Sequence, residues 1–101
     1  MATLNDEFLY QVFAIVEEIP LGTVATYGQI ARLSGYDKNA RLVGRALSLS
    51  EYFGKYPCHR VVSSQGRCAP GWFEQKDLLT QEGITFKENG CVDLKKHQWK
   101  M

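Results

Sequence analysis

The sequence predicts a mainly α fold with a small β element, built on a helix-turn-helix of winged-helix-like type. Three observations predict it. Leu9, Val12, Phe13 and Val16 recur at i, i+3, i+4 and i+7, the spacing that gathers apolar side chains on one face of a helix. Two short helical stretches are joined by a turn containing Gly35, and the second carries Arg41 and Arg45 four residues apart on one face. Near the end, Asn89-Gly90 is a strong hairpin signal between Ile84-Thr85-Phe86 and Cys91-Val92-Asp93-Leu94.

In chain order, Asn5-Asp6-Glu7 reads as the start of the first helix, with a capping residue and acids in the first turn, and Pro20 and Gly22 stop it. Val24-Ala25 reads as a short link. Thr26 is the N-cap of a second helix over 27–33, ended by Ser34-Gly35. A third helix is expected from Asp37 or Lys38 to about Leu47, with Ala40, Val43, Ala46 and Leu47 as its buried stripe. Gly44 in mid-helix costs about 1 kcal/mol relative to Ala, which makes sense where another backbone must come close. This helix pair matches a DNA-reading helix-turn-helix, and an αα-hairpin that never meets DNA fits the same residues as well. Residues 48–55 read as a loop or short turn. Arg60-Val61-Val62 reads as a short buried strand or the exit of a tight turn, and residues 63–66 as a turn. A fourth helix is expected over 73–81, closed by Gly83, and the tail from Lys95 is expected on the surface with Trp99 folded back.

At 101 residues the expectation is a single domain, 1–101, with a modest core. Hydrophobic residues make up 45% and charged ones 23%, which excludes a disordered chain. No apolar run approaches the roughly 18–20 residues of a membrane span, so no membrane partner is expected. The N-terminus carries acids where an export signal would carry Lys or Arg, so the expected location is cytoplasmic. The three cysteines, Cys58, Cys68 and Cys91, form no Cys-x-x-Cys, and His59 and His97 lie far apart, so no metal site and no cofactor are expected. Residues 1–31 hold four acids and no Lys or Arg, whereas residues 32–67 hold seven basic residues against Asp37 and Glu51. A basic centre suits an anionic polymer, although an ordinary solvated surface accounts for the same charges.

The centre of that basic third is Tyr56-Pro57-Cys58-His59-Arg60-Val61-Val62. A thiolate is a nucleophile, and an imidazole backed by a carboxylate can generate one. A Cys-His dipeptide alone is weak, because neighbours on an extended backbone face apart. Three upstream and downstream stretches strengthen it: Thr26-Tyr27-Gly28-Gln29-Ile30-Ala31, Asn39-Ala40-Arg41-Leu42-Val43-Gly44, and Leu78-Leu79 with Glu82-Gly83. Together, from about Phe8 to Val92, these residues resemble the C-terminal, DNA-binding and active-site domain of the O6-alkylguanine-DNA alkyltransferase family.

The resemblance implies a repair protein that flips O6-alkylguanine out of duplex DNA and takes the alkyl group irreversibly onto Cys58, in a single turnover. His59 would act as base through a bridging water, and Glu82 would orient the imidazole. Tyr27 would push on the target phosphate and Arg41 would fill the vacated stack, while small Ala40 and Gly44 would let the helix lie close in the minor groove. Arg60 would be structural or phosphate-facing, and Ser64 DNA- or site-proximal. The implied partner is double-stranded DNA carrying the lesion, bound by a monomer. There are departures from the family pattern. The family's N-terminal domain has no counterpart here. Ser50 stands where the family has a hinge asparagine, which is expected to weaken the cysteine loop. Residues 67–73 are shorter than the family's pocket loop and lack its tyrosine, which implies a wider pocket or slower methyl transfer. This shortness resembles the alkyltransferase-like proteins, which bind lesions and recruit nucleotide excision repair proteins without alkyl transfer. That adaptor role is the alternative, and a helix-turn-helix transcription factor is a third reading.

Overall fold

The computed structural model describes residues 5–101. The first helix, α1 (Asp6–Glu18), starts where Asn5 Oδ1 accepts the Phe8 N–H at 2.8 Å. It buries Phe8, Leu9, Val12, Phe13 and Val16, the face that the apolar spacing predicts. A two-residue strand, β1 (Ala25–Thr26), runs directly into α2 (Tyr27–Leu33). Thr26 and Gln29 close a reciprocal capping box at that junction, so the strand-to-helix turn is held by side chains as well as backbone. After α3 (Ala40–Ser48) come single 3-10 turns at Ser50–Tyr52 and Cys58–Arg60, then β2 (Val61–Val62), α4 (Glu74–Gln81) and the one-turn α5 (Leu94–His97). Among the described residues no helix is long and apolar enough to cross a membrane.

The sheet is a single parallel pair, with Ala25 opposite Val61 and Thr26 opposite Val62. Small as it is, it separates the interior into two clusters. Side chains alternate across a strand, so Ala25 and Val61 point into the larger cluster with α1, α2 and α3, while Val24 and Val62 point into a smaller one with Leu79, Ile84 and Val92. The pair also has a positional effect. Tyr27 follows β1 immediately, and the Cys58–Arg60 turn immediately precedes β2. One short backbone ladder therefore fixes how far the tyrosine stands from the cysteine turn.

Several expectations need correction. Val24-Ala25 is not a mere link: Ala25 belongs to β1, and Val24 N–H donates to His97 O at 2.9 Å. The tail keeps to the surface with Trp99 folded against the core, as expected, but from Gln98 it is also tied to the backbone beside β1. It pairs in parallel with Val24, Trp99 N–H donates to Val24 O at 2.7 Å, and Gln29 Nε2 donates to Trp99 O at 2.6 Å. The helix α3 begins two to three residues later than expected, because Lys38 adopts φ +69° and Asn39 N–H closes a turn onto Tyr36 O. Its buried stripe is accordingly Val43, Ala46 and Leu47, with Ala40 half-buried at the first position. The Asn89-Gly90 turn forms, with Gly90 at φ +85°, but it supports only the single bridge Phe86–Val92 rather than two strands.

Gly66 is the point where the turn after β2 meets the backbone of Val92. Its φ is +85°, and a Cβ there would lie 2.6 Å from Val92 O, beside the Val92 N–H bond to Gly66 O at 2.8 Å. Gly66→Ala therefore loses more than about 1 kcal/mol of folding free energy, read from urea unfolding. An unchanged midpoint would contradict this packing.

Candidate active site

Pro57 and the 3-10 turn that follows lift Cys58 into the larger core cluster, where it is 9% exposed. The turn is tight: Cys58 N–H donates to Tyr56 O at 2.7 Å and Arg60 N–H to Pro57 O at 3.0 Å. Burial pushes the Cys58 thiol above its ordinary pKa, and a hydrogen bond with the Ser50 side chain pulls the other way without cancelling it. The resting sulfur is thus a neutral thiol at pH 7. Ser50, expected to weaken this loop, acts on the thiol pKa in the lowering direction.

The turn projects His59 and Arg60 onto one carboxylate. His59 Nε2 lies 2.6 Å from Glu82 Oε2. Arg60 grips the same group with Nε to Oε1 at 2.8 Å and Nη2 to Oε2 at 3.0 Å, and its Nη1 donates to Ile19 O at 2.8 Å. Glu82 is the C-cap residue of α4, so one carboxyl ties α4 to the cysteine turn, and Arg60 extends the tie to the end of α1. All three side chains are less than one-fifth exposed. Burial alone would push the Glu82 carboxyl up. The hydrogen bonds and charges of Arg60 and His59 outweigh it and hold the group below the ordinary carboxylate value. An ionised Glu82 can only accept, so His59 Nε2–H donates to it and the free lone pair of the neutral ring is on Nδ1.

Tyr27 opens α2 and lies half-buried against the cluster that contains Cys58. Burial raises its phenol pKa, and the Cys58 and Cys68 thiols add to the shift. Its ring passes over Gly44 of α3: a Cβ on Gly44 would stand 3.9 Å from Tyr27 Cε1, an ordinary contact. Gly44 is therefore not required by the protein's own packing. Arg41 and Arg45 point to solvent from α3, and Ala40 stands half-buried one residue before Arg41. The fold thus gathers Tyr27, Gly44 and Cys58 in one region and Cys58, His59, Arg60 and Glu82 in one turn-and-clamp unit. Arg60 is turned inward onto Glu82 and Ile19. Ser64 is exposed, on the rim of a groove it shares with Arg67, Lys87 and Lys95.

One residue of this site escaped the sequence reading. Gln75 is fully buried. Its Nε2 donates to His59 O and Val61 O, both at 3.0 Å, and its Oε1 accepts from Ala69 N–H at 2.7 Å. It straps the loop 67–73 to the backbone on either side of Arg60. The available signal was a polar residue leading the apolar spacing of Leu78 and Leu79 in α4.

The family model of the 6-O-methylguanine DNA methyltransferase, DNA binding domain, matches residues 7–84. The chain belongs to this family. A DNA base-flipping protein of Vibrio parahaemolyticus is 42% identical over 97 residues, covering 93% of this chain and 97% of that one. A methylated-DNA–protein-cysteine methyltransferase of Cricetulus griseus is 34% identical over 95 residues, 89% of this chain but 46% of that one. Among solved structures, S. pombe Atl1 in complex with damaged DNA containing O6-carboxymethylguanine superposes with a TM-score of 0.84 at 35% identity, over 98% of this chain and 100% of that chain. The methyltransferase-family fold and its helix-turn-helix are thereby those the sequence predicts.

The clamp gives the family fold a pH signature here. Glu82 titrates lower in the folded state than its ordinary value of 4.5. Its contribution is therefore complete above that value and disappears as pH falls through the lower folded value. Glu82→Gln is expected to cost on the order of 2 kcal/mol at pH 7, and the gap to the parent protein should close under acid. Urea unfolding at pH 7 and at pH 3 measures it; a gap independent of pH would contradict an ionised clamp.

Proposed function

We propose that this chain recognises O6-alkylguanine in duplex DNA by rotating the base out of the stack, and that it moves the alkyl group to Cys58. The observation that carries this reading is the union of Cys58 with the His59–Glu82–Arg60 clamp beside Tyr27. In the proposed reaction, the Cys58 thiol gives its proton through a water to His59 Nδ1, and Glu82 stabilises the imidazolium that results. The sulfur attacks the alkyl carbon; an S–C bond forms as the C–O6 bond breaks. The electron pair returns to the purine, which takes up a proton at N1 as the imidazolium of His59 gives its proton back to water, so proton and charge balance. The pKa-raising burial of Cys58 makes this base assistance necessary.

DNA recognition falls to the exposed and small residues. Arg41, at the start of α3, enters the stack in place of the flipped base. Tyr27 bears on the adjacent phosphate, and Ala40 and Gly44 keep the helix surface low enough for the duplex backbone. Arg60 is read as a clamp residue rather than a phosphate contact, because Glu82 and Ile19 occupy its guanidinium. Ser64 is read as a peripheral contact on the rim occupied by Arg67 and Lys87.

A specific observation favours a second reading, in which the protein marks the lesion for nucleotide excision repair and leaves it intact. The thiol is buried and raised, and the base-flipping relative spans nearly the same length of chain. Intact-mass spectrometry after incubation with duplex bearing O6-methylguanine separates the two. Transfer adds one methylene, and Cys58→Ser abolishes the gain. An unchanged mass at saturating lesion, with binding retained, contradicts transfer and leaves the marking role.

Gly44 tests the recognition surface without touching the chemistry. Gly44→Ala should stabilise the fold by up to about 1 kcal/mol through helix propensity, since the new methyl meets Tyr27 only at contact distance. The same variant should bind lesion duplex more weakly. Unfolding and fluorescence-anisotropy titrations read the two effects, and equal or tighter binding would contradict close backbone approach.

A further inference from the structure

We propose that the outer flank of α1 is a docking site for a protein segment that carries a Lys or Arg next to an aromatic or aliphatic anchor. A groove of about 480 Å³ runs there between α1 and the segment leading to the cysteine turn, lined by Tyr10, Phe13, Phe53 and Tyr56 with Asp6 and Glu17 at its edges. Its floor is aromatic. Phe13 stacks on Tyr56 with ring centroids 4.7 Å apart and meets Phe53 at 5.5 Å. Its walls are open, with Tyr10 73% and Phe53 46% exposed. Two large rings left to water around one concavity are what a partner's buried anchor would cover.

Charge identifies the occupant. The lining holds two carboxylates and no lysine or arginine among the described residues, and the whole of residues 1–31 carries no basic side chain. A nucleic acid strand would be repelled by this edge, whereas α3 offers it a basic surface in Arg41 and Arg45. A cation has two favourable partners here, the carboxylates at the rim and the ring faces on the floor. The site is thus selective for a basic, apolar-anchored peptide.

The groove is also wired to the cysteine turn. Tyr56 forms part of its floor, and Tyr56 O accepts the Cys58 N–H at 2.7 Å. A partner seated on Tyr56 is one hydrogen bond from the residue that meets the lesion. This surface does not depend on whether Cys58 takes an alkyl group.

The test is selection of a random short-peptide display library against the full chain with its DNA-facing side occupied by lesion duplex. The expected result is enrichment of sequences with Lys or Arg within a turn of Leu, Phe or Trp. Synthetic versions of these peptides should lose about tenfold or more in affinity to Glu17→Lys and to Tyr10→Ser, two exposed substitutions outside the lesion site. Lesion-duplex affinity of both variants serves as the control for folding and should be unchanged. No enrichment, enrichment of acidic or uncharged peptides, or binding indifferent to both substitutions overturns the proposal.

Discussion

The structure depends on one half-buried carboxylate. Glu82 accepts from His59 and from one edge of the Arg60 guanidinium, Nε and Nη2, while Arg60 Nη1 reaches Ile19 O. Charge-assisted bonds of this kind are directional, so they fix orientation where a short chain has little core to spare. Three elements that share little backbone pairing, the end of α1, the cysteine turn and the end of α4, are held in one geometry by it. Removing Glu82 leaves the Arg60 guanidinium without its carboxylate, and removing Arg60 leaves the Glu82 carboxylate with His59 alone. Gln75 does for the backbone of this turn what Glu82 does for its side chains.

The parallel pair β1–β2 adds the second constraint. Two residues on each strand would be negligible as a sheet, yet they join the pair before Tyr27, Ala25 and Thr26, to the pair after the cysteine turn, Val61 and Val62. The capping box at Thr26 then commits the chain to helix at once. Tyr27 and Cys58, distant in sequence, consequently face one region through a short, rigid path. The groove on α1 communicates with that region through Tyr56, on the opposite side of the same turn from His59 in sequence.

Much of this was legible in the residues. The apolar spacing of α1, the Thr26 cap, the end of α2 at Ser34-Gly35 and the extent of α4 are local signals, and the structure places them within a residue or so. The family likeness of the Cys58 segment carried the pairing of His59 with Glu82, which no periodicity could supply. What the sequence hid was non-local. Val24 and Gln98 pair across most of the chain, so a tail of polar residues ends up bonded to the sheet. Lys38 in the left-handed region delays α3, and nothing in a lysine announces that conformation. Ser50 is an ordinary loop serine until the fold brings it to the thiol, and Gln75 is an ordinary helix glutamine until three backbone groups converge on it.

Glycine usage follows the same division between protein and partner. Gly66 is demanded from within, by the Val92 backbone, whereas the space beside Gly44 is larger than Tyr27 requires. The chain's own packing therefore leaves the glycine of α3 unexplained, and the proposed approach of a duplex would account for it. The most direct measurement is a crystal structure of the protein on duplex DNA bearing O6-methylguanine. The modified base should lie outside the helix, in contact with Cys58 or with the methyl group already on its sulfur, and Arg41 should occupy the gap in the stack. A bound duplex with the modified base still stacked, or with α3 turned away from it, would contradict the central claim.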